Sequence, residues 1–228
     1  MRILAQIPFF AGLSEDDLDS IDKRMVSLSW AEGDHLYSAG EPADHLYVVA
    51  AGQVKVVRST RSGQDTIVDV LAPGELVGSL SIGRQAGYPE TVAAMVTTCA
   101  LRIETTAFRE VLLEYPSVAL RVLDDVTALL GSERSDAGQH TSSTVAQRVG
   151  MMLLHLADKF GRNGEDVDGV LIQLPLTRAD LAGMIGSTPE SVSRVMSRLR
   201  KEGAVDSGRR WTSILDRDKL AAIVASNK

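Results

Sequence analysis

Residues 176–205, LTRADLAGMIGSTPESVSRVMSRLRKEGAV, constrain the fold more than any other segment. Thr177 can cap a short helix over Arg178 to Met184, because its hydroxyl can accept from an unpaired N–H of the first turn. Leu181, Met184 and Ile185 supply the apolar side of that helix. Gly186 suits a tight turn that needs positive φ. Thr188 then caps a second helix, and Pro189 sits at its first position, where a missing N–H does no harm. Val192, Val195, Met196 and Leu199 recur at helical spacing and predict its buried face. Gly203 stops it. Two helices joined by a short glycine turn form the helix-turn-helix signature.

The other face of the second helix carries Glu190, Ser193, Arg194, Ser197 and Arg198. These positions lie in the part of such a helix that reaches base edges. Arginine can bond guanine through O6 and N7, and glutamate can accept from the cytosine amino group. Arg198, Arg200 and Lys201 suit backbone phosphates. Ser207-Gly208-Arg209-Arg210 reads as the basic tip of a β-hairpin wing that leads into a strand, WTSIL. The candidate DNA contacts are Thr188, Glu190, Ser193, Arg194, Ser197, Arg198, Arg178 and Arg209. On a helix that merely packs, in a ligand-binding or interaction module, Glu190 and Arg194 would be a solvated pair worth about 0.2–0.5 kcal/mol. Such a helix would have no need of Arg194, Arg198 and a basic wing tip.

Net charge is −6, an unpromising value for a nucleic-acid binder, but its distribution is uneven. Residues 1–144 carry 11 Lys and Arg against 20 Asp and Glu, and residues 145–228 carry 13 against 10. A locally basic face matters more than the sum. The single cysteine, Cys99, excludes an internal disulfide and any four-thiolate zinc or iron–sulfur site within one chain. Its strand, VTTCALRI, predicts an inert core thiol. The start, MRILAQIPFF, lacks a signal-peptide pattern, and no run approaches the roughly 20 apolar residues that span a bilayer. The expectation is a cytoplasmic protein with no membrane partner. No nucleophile–base pair, HExxH or P-loop is present, so an enzyme is not expected.

Elsewhere, Ser14 before Glu15, Asp16 and Asp17 predicts a capped helix with Leu18, Ile21 and Met25 on one face. From Val26 to about Ile103, short β-rich runs (HLYVV, VKVV, TIVDVL, CALRI) alternate with glycine turns, predicting a sandwich or barrel-like roll. A short helix is expected over Ala107 to Glu114, capped by Thr106 and closed before Pro116. A long helix follows from Ser117 to about Ser135 or beyond. Within it Ala119, Leu123, Val126, Leu130, Glu133, Ala137 and His140 form a heptad-like seam. Ala119, Leu123, Val126, Leu130 and Ala137 are read as a homodimer contact; the alternative is a helix packed on its own domain. Gly138 and the run HTSST predict a hinge. Val145 to about Lys159 predicts a helix with Val149, Met152, Leu153 and Leu156 on one face. Asn163-Gly164 and Asp168-Gly169 predict turns before a strand, VLIQLPL. The fold class is α+β, with domains at 1–115, 116–143 and 144–228.

At this point the chain resembles the CRP/FNR superfamily of bacterial regulators nearly end to end, through PFFAGLSEDDLDSI, GEPADHLYVVAAGQVKV, PGELVGSLS and TRADLAGMIGSTPESVSRVMSRL. The resemblance implies an N-terminal cyclic-nucleotide-binding-type β-roll, a long dimerisation helix and a C-terminal winged helix-turn-helix. It also implies a homodimer on a double-stranded DNA palindrome, with RNA polymerase as a partner. Glu190, Ser193 and Arg194 match the FNR-type pattern, whose half-sites resemble TTGAT. The cyclic-AMP-type pattern would place Arg where Pro189 stands. The implied site resembles TTGAT-N4-ATCAA.

In the family's cyclic-AMP pocket a Glu follows the glycine that here is Gly78, but Ser79 stands there. The Arg-Ser pair for the cyclic phosphate becomes Pro89-Glu90, so no cation is expected there and Glu90 would repel the phosphate. The Thr-Ser pair on the long helix becomes Glu133 and Arg134. The effector pocket by position is therefore Gly78, Ser79, Leu80, Tyr88, Pro89, Glu90, Thr91, Glu133 and Arg134, in a sensor not expected to bind cyclic AMP. An iron–sulfur cluster would need more cysteines than Cys99. Haem stays open through His35, His45, His140 or His155, as does a regulator that needs no cofactor.

Overall fold

The computed structural model of the 228-residue chain describes residues 3–59, 65–80, 87–140, 143–163 and 169–226, apart from the side chains of residues 65 and 129–140. The chain divides into two units, Met1–Arg58 with Asp69–Asp136, and Ser59–Val68 with Ala137–Lys228.

The first unit opens with two 3-10 turns, Ile3–Gln6 and Pro8–Phe10, and then α1 (Glu15–Asp22). Ser14 and Asp17 close a reciprocal capping box at its start, the Ser14 hydroxyl accepting from Asp17 N at 3.2 Å. Met25, expected on the helix, instead opens β1 (Met25–Trp30). There it pairs with Ile103, and strand pairing overrides the helical spacing. The strands that follow are β2 (His35–Tyr37), β3 (His45–Ala51), β4 (Val54–Ser59), β5 (Asp65–Leu71), β6 (Leu76–Gly78), β7 (Thr91–Ala94) and β8 (Thr98–Glu104). They form two four-stranded sheets, ordered β1-β8-β3-β6 and β2-β7-β4-β5.

Strand alternation explains why HLYVV is apolar throughout. Tyr47 and Val49 face one core cluster with Tyr37, Val54, Val56, Tyr88 and Val92. Leu46 and Val48 face another, with Phe9, Phe10, Leu18, Ile21 and Phe108. A strand buried on both faces has no polar side to alternate.

The short helix α2 (Thr105–Glu114) begins earlier than expected, and Thr106 is not its cap. Glu104 holds that position without a side-chain cap bond, and the Thr105 hydroxyl donates to Ala43 O at 3.2 Å. Then α3 (Pro116–His140) runs for 25 residues. Gly138 lies inside it, so the expected hinge does not begin there. An isolated glycine costs a helix about 1 kcal/mol without breaking it. Residues 141 and 142 of the polar run lie outside the described residues. Val118 and Val122 on α3 are buried in the cluster with Phe108 and Val111.

The second unit contains α4 (Val145–Phe160), β9 (Gly161–Asn163), β10 (Val170–Ile172), α5 (Arg178–Met184), α6 (Pro189–Lys201), β11 (Val205–Ser207), β12 (Thr212–Ile214) and α7 (Arg217–Ala225). Its sheet is ordered β11-β12-β10-β9, all antiparallel. VLIQLPL contributes only Val170–Ile172 as strand, and WTSIL only Thr212–Ile214. Met152 is half-buried, while Val149, Leu153 and Leu156 are fully inside. The sequence reading missed α7. Asp216 caps it, accepting from Lys219 N at 2.9 Å, and Gln147 of α4 donates to Ser226 O at its end. Among the described residues no helix is long and apolar enough to cross a membrane.

Candidate nucleic-acid interface

The helix pair forms as its local signals require. The Thr177 hydroxyl accepts from Asp180 N at 3.1 Å, and the Asp180 carboxylate accepts from Thr177 N at 2.7 Å. The chain leaves α5 through Ile185 and turns at Gly186, whose φ is +60°, the left-handed region glycine enters freely. Thr188 caps α6, its hydroxyl accepting from Ser191 N at 3.3 Å, and Pro189 occupies the first helical position. Gly203, at φ +70°, follows the last turn. Val192, Met196 and Leu199 are buried, and Val195 is half-buried.

The opposite face of α6 presents Glu190, Arg194, Ser197 and Arg198 to solvent, with Ser193 half-buried among them. Glu190 lies in the first turn, where its own backbone N–H and the Thr188 hydroxyl hold its carboxyl below the usual carboxylate range, helped by Arg194. A charged acceptor and the Arg194 donor thus stand one turn apart at a capped helix start. Farther along, Arg198 Nε lies 3.9 Å from Glu202, and Arg200 Nε lies 2.9 Å from Asp206. Arg178 is half-buried and donates to Ser207 Oγ at 2.8 Å. The wing is β11 and β12, with Ser207 opposite Thr212 and exposed Arg209 and Arg210 at the tip.

A model of the Crp-like helix-turn-helix domain matches residues 147–223, and one of the cyclic nucleotide-binding domain matches residues 27–115. The chain belongs to the CRP/FNR superfamily. It is a DNA-binding transcription regulator of the CRP/FNR type. Members are regulators and not enzymes. The CRP-like cAMP-activated global transcriptional regulator of Mycobacterium tuberculosis is 22% identical over 96% of this chain and 97% of its own length. The transcriptional activator protein anr of Pseudomonas aeruginosa is 24% identical over 96% and 89%. FixK2 from Bradyrhizobium japonicum shares the fold with a TM-score of 0.76 at 22% identity, covering 90% of this chain and 99% of that one. A CRP/FNR family regulator of Thermus thermophilus does so with a TM-score of 0.71 at 20% identity, covering 89% and 100%.

In this CRP/FNR regulator aromatic rings pack together inside the β-roll. Tyr37 and Tyr88 are stacked at 3.7 Å between centroids, and Tyr47 lies 5.6 Å from Tyr37. Tyr88 is no free pocket wall, since its hydroxyl donates to His45 O at 2.7 Å. Gly78 ends β6 at φ +131°, where an added Cβ would come within 2.8 Å of Leu46. Ser79 is half-buried, and Leu80 packs against the cluster around Phe10. Pro89 is exposed, and the Thr91 hydroxyl accepts from Ala39 N at 3.0 Å.

The expectation that no cation stands near Glu90 is corrected. Arg58 of β4 donates to its carboxylate at 2.5 Å. The Arg58 side chain is 61% exposed, at the end of the buried run of β4, so the pair lies at the rim of the roll. Glu133 and Arg134 have side chains outside the described residues.

On α3, Leu123 and Val126 are 58% and 47% exposed, and Ala119 is half-buried. Leu120, which the seam spacing missed, is 63% exposed beside them. The side chains of Leu130, Ala137 and His140 lie outside the described residues. Cys99 is half-buried rather than in the core, its Sγ 3.2 Å from Ser29 Oγ. His35 and His155 are exposed, and His45 is half-buried at the start of β3.

Proposed function

We propose that this regulator works as a homodimer on a palindrome resembling TTGAT-N4-ATCAA, through a sensor roll that does not take cyclic AMP. The observation that carries the reading is the row of exposed Glu190 and Arg194, with half-buried Ser193 between them, at the capped start of α6. Arg194 and Glu190 read base edges, and Ser193 and Ser197 lie alongside. Thr188, Arg178, Arg198 and Arg209 face the phosphates around them. The exposed leucine face of α3 supports the dimer, because apolar side chains repeated along a helix gain by burial against a second copy. The domains of the reading are a roll over 1–115, a dimerisation helix over 116–143 and a winged helix over 144–228. The regulator acts in the cytoplasm and meets RNA polymerase at promoters.

Two features support a sensor closed to cyclic AMP. The stacked Tyr37–Tyr88 pair packs within the roll, and the Glu90 carboxylate is paired with Arg58. A second reading, in which an effector is needed, draws on the cAMP-activated relative in Mycobacterium tuberculosis. Fluorescence anisotropy on the palindrome and on a scrambled duplex, at one salt concentration, separates the two. Tight selective binding without additives supports the first reading. Selectivity that appears only with cyclic AMP or haem supports the second.

A further inference from the structure

Two guanidinium groups, one from each helix of the DNA-reading pair, converge on the root of the wing. Arg178 is the first residue of α5 and donates to Ser207 Oγ at 2.8 Å. Arg200, in the last turn of α6, sets its Nε 2.9 Å from Asp206 Oδ1. The same carboxylate oxygen accepts from Ser207 N at 2.8 Å. Asp206 and Ser207 are the last residues of β11, and Gly208 and Arg209 follow at the tip. Gly208 N donates to Trp211 O at 3.0 Å and closes the hairpin.

An aspartate on a surface that meets a polyanion opposes binding through its charge. Here its geometry points to a compensating role. We propose that Asp206 is a positioning residue for the wing. Its pairing with Arg200 ties β11 to the helix that enters the groove, and so aims Arg209 at the DNA backbone. Arg200 then acts through the wing and not on a phosphate of its own. The inference rests on DNA binding by this chain and not on the palindrome.

The test is a salt titration of the full-length protein on a generic duplex, comparing wild type, D206N, R200Q, R209Q and the double variant R200Q/R209Q. Because the duplex is generic, failure of the palindrome reading leaves this measurement intact. Losing one phosphate contact reduces the slope of log K against log salt by about 0.9. R209Q is expected to show that loss. R200Q and D206N should show a similar one, although D206N removes a negative charge. The double variant should bind no more weakly than R209Q alone, because both changes remove one contact. Tighter binding by D206N, or losses that add in the double variant, would overturn the proposal. A second readout needs no DNA. Hydrogen exchange at the Gly208 amide should speed up in D206N and R200Q and stay unchanged in R209Q. Unchanged exchange in D206N would overturn the positioning role even if that variant bound DNA poorly.

Discussion

The rings of Tyr37 and Tyr88 lie 3.7 Å apart between centroids with only 16° between their planes. Tyr37 comes from β2, and Tyr88 from the segment before β7. Burial drives both phenols away from their ordinary ionisation, raising Tyr88 to about 12 and Tyr37 further. The unfolded chain, with phenols near 10, therefore ionises first. Stability is intact below about pH 10 and falls between about pH 10 and 12, by up to about 1.4 kcal/mol per pH unit for each tyrosine. Urea midpoints measured across that range should decline in wild type and decline less in Tyr37→Phe/Tyr88→Phe. A flat wild-type profile would mean that the rings are solvated.

Arg194 is expected to separate specific from general binding. Losing a bidentate contact to guanine costs about 1–3 kcal/mol of discrimination. Arg194→Ala should lose that much on the palindrome and far less on a scrambled duplex. Equal losses on both would reassign Arg194 to the phosphates.

Leu123→Glu tests the seam. The leucine is 58% exposed in the single chain, so burying the rest of it is worth roughly 1–2 kcal/mol. A charge there would remove that gain and add a desolvation cost. Analytical ultracentrifugation should show a dimer for wild type and a monomer for the variant. A dimer that survives the change would place the interface elsewhere.

Thr177 closes a capping box with Asp180 at the start of α5. Thr177→Ala should cost about 1 kcal/mol, within the 0.5–2 kcal/mol seen for such caps. Thermal unfolding of the variant checks this; no change in midpoint would show that α5 is held by packing alone.

The helix-turn-helix was legible because its signals are local. Thr177, Gly186, Thr188, Pro189 and Gly203 each act within one turn of their own position, so chain order is enough to read them. The start of α1 at Ser14 was legible for the same reason. Where pairing with distant segments competes, local spacing misleads. Met25 fits a helical face, yet it joins β1 because Ile103 offers it a strand partner. Thr106 looks like a cap, yet the helix starts earlier, with Thr105 bonded to Ala43.

The sensor interior and the wing root are of a different kind. Tyr37 meets Tyr88, Arg58 meets Glu90, and Arg200 meets Asp206 across loops and sheet neighbours. The sequence alone determined the α+β class, the helix-turn-helix and the polar face of its second helix, though not α7. Which side chains fill the roll, and which charges are already taken, only the tertiary structure decided. The roll pairings depend on strand order and register, and the Arg200–Asp206 pair on the angle at which the chain leaves α6 for β11; no local rule along the chain encodes these.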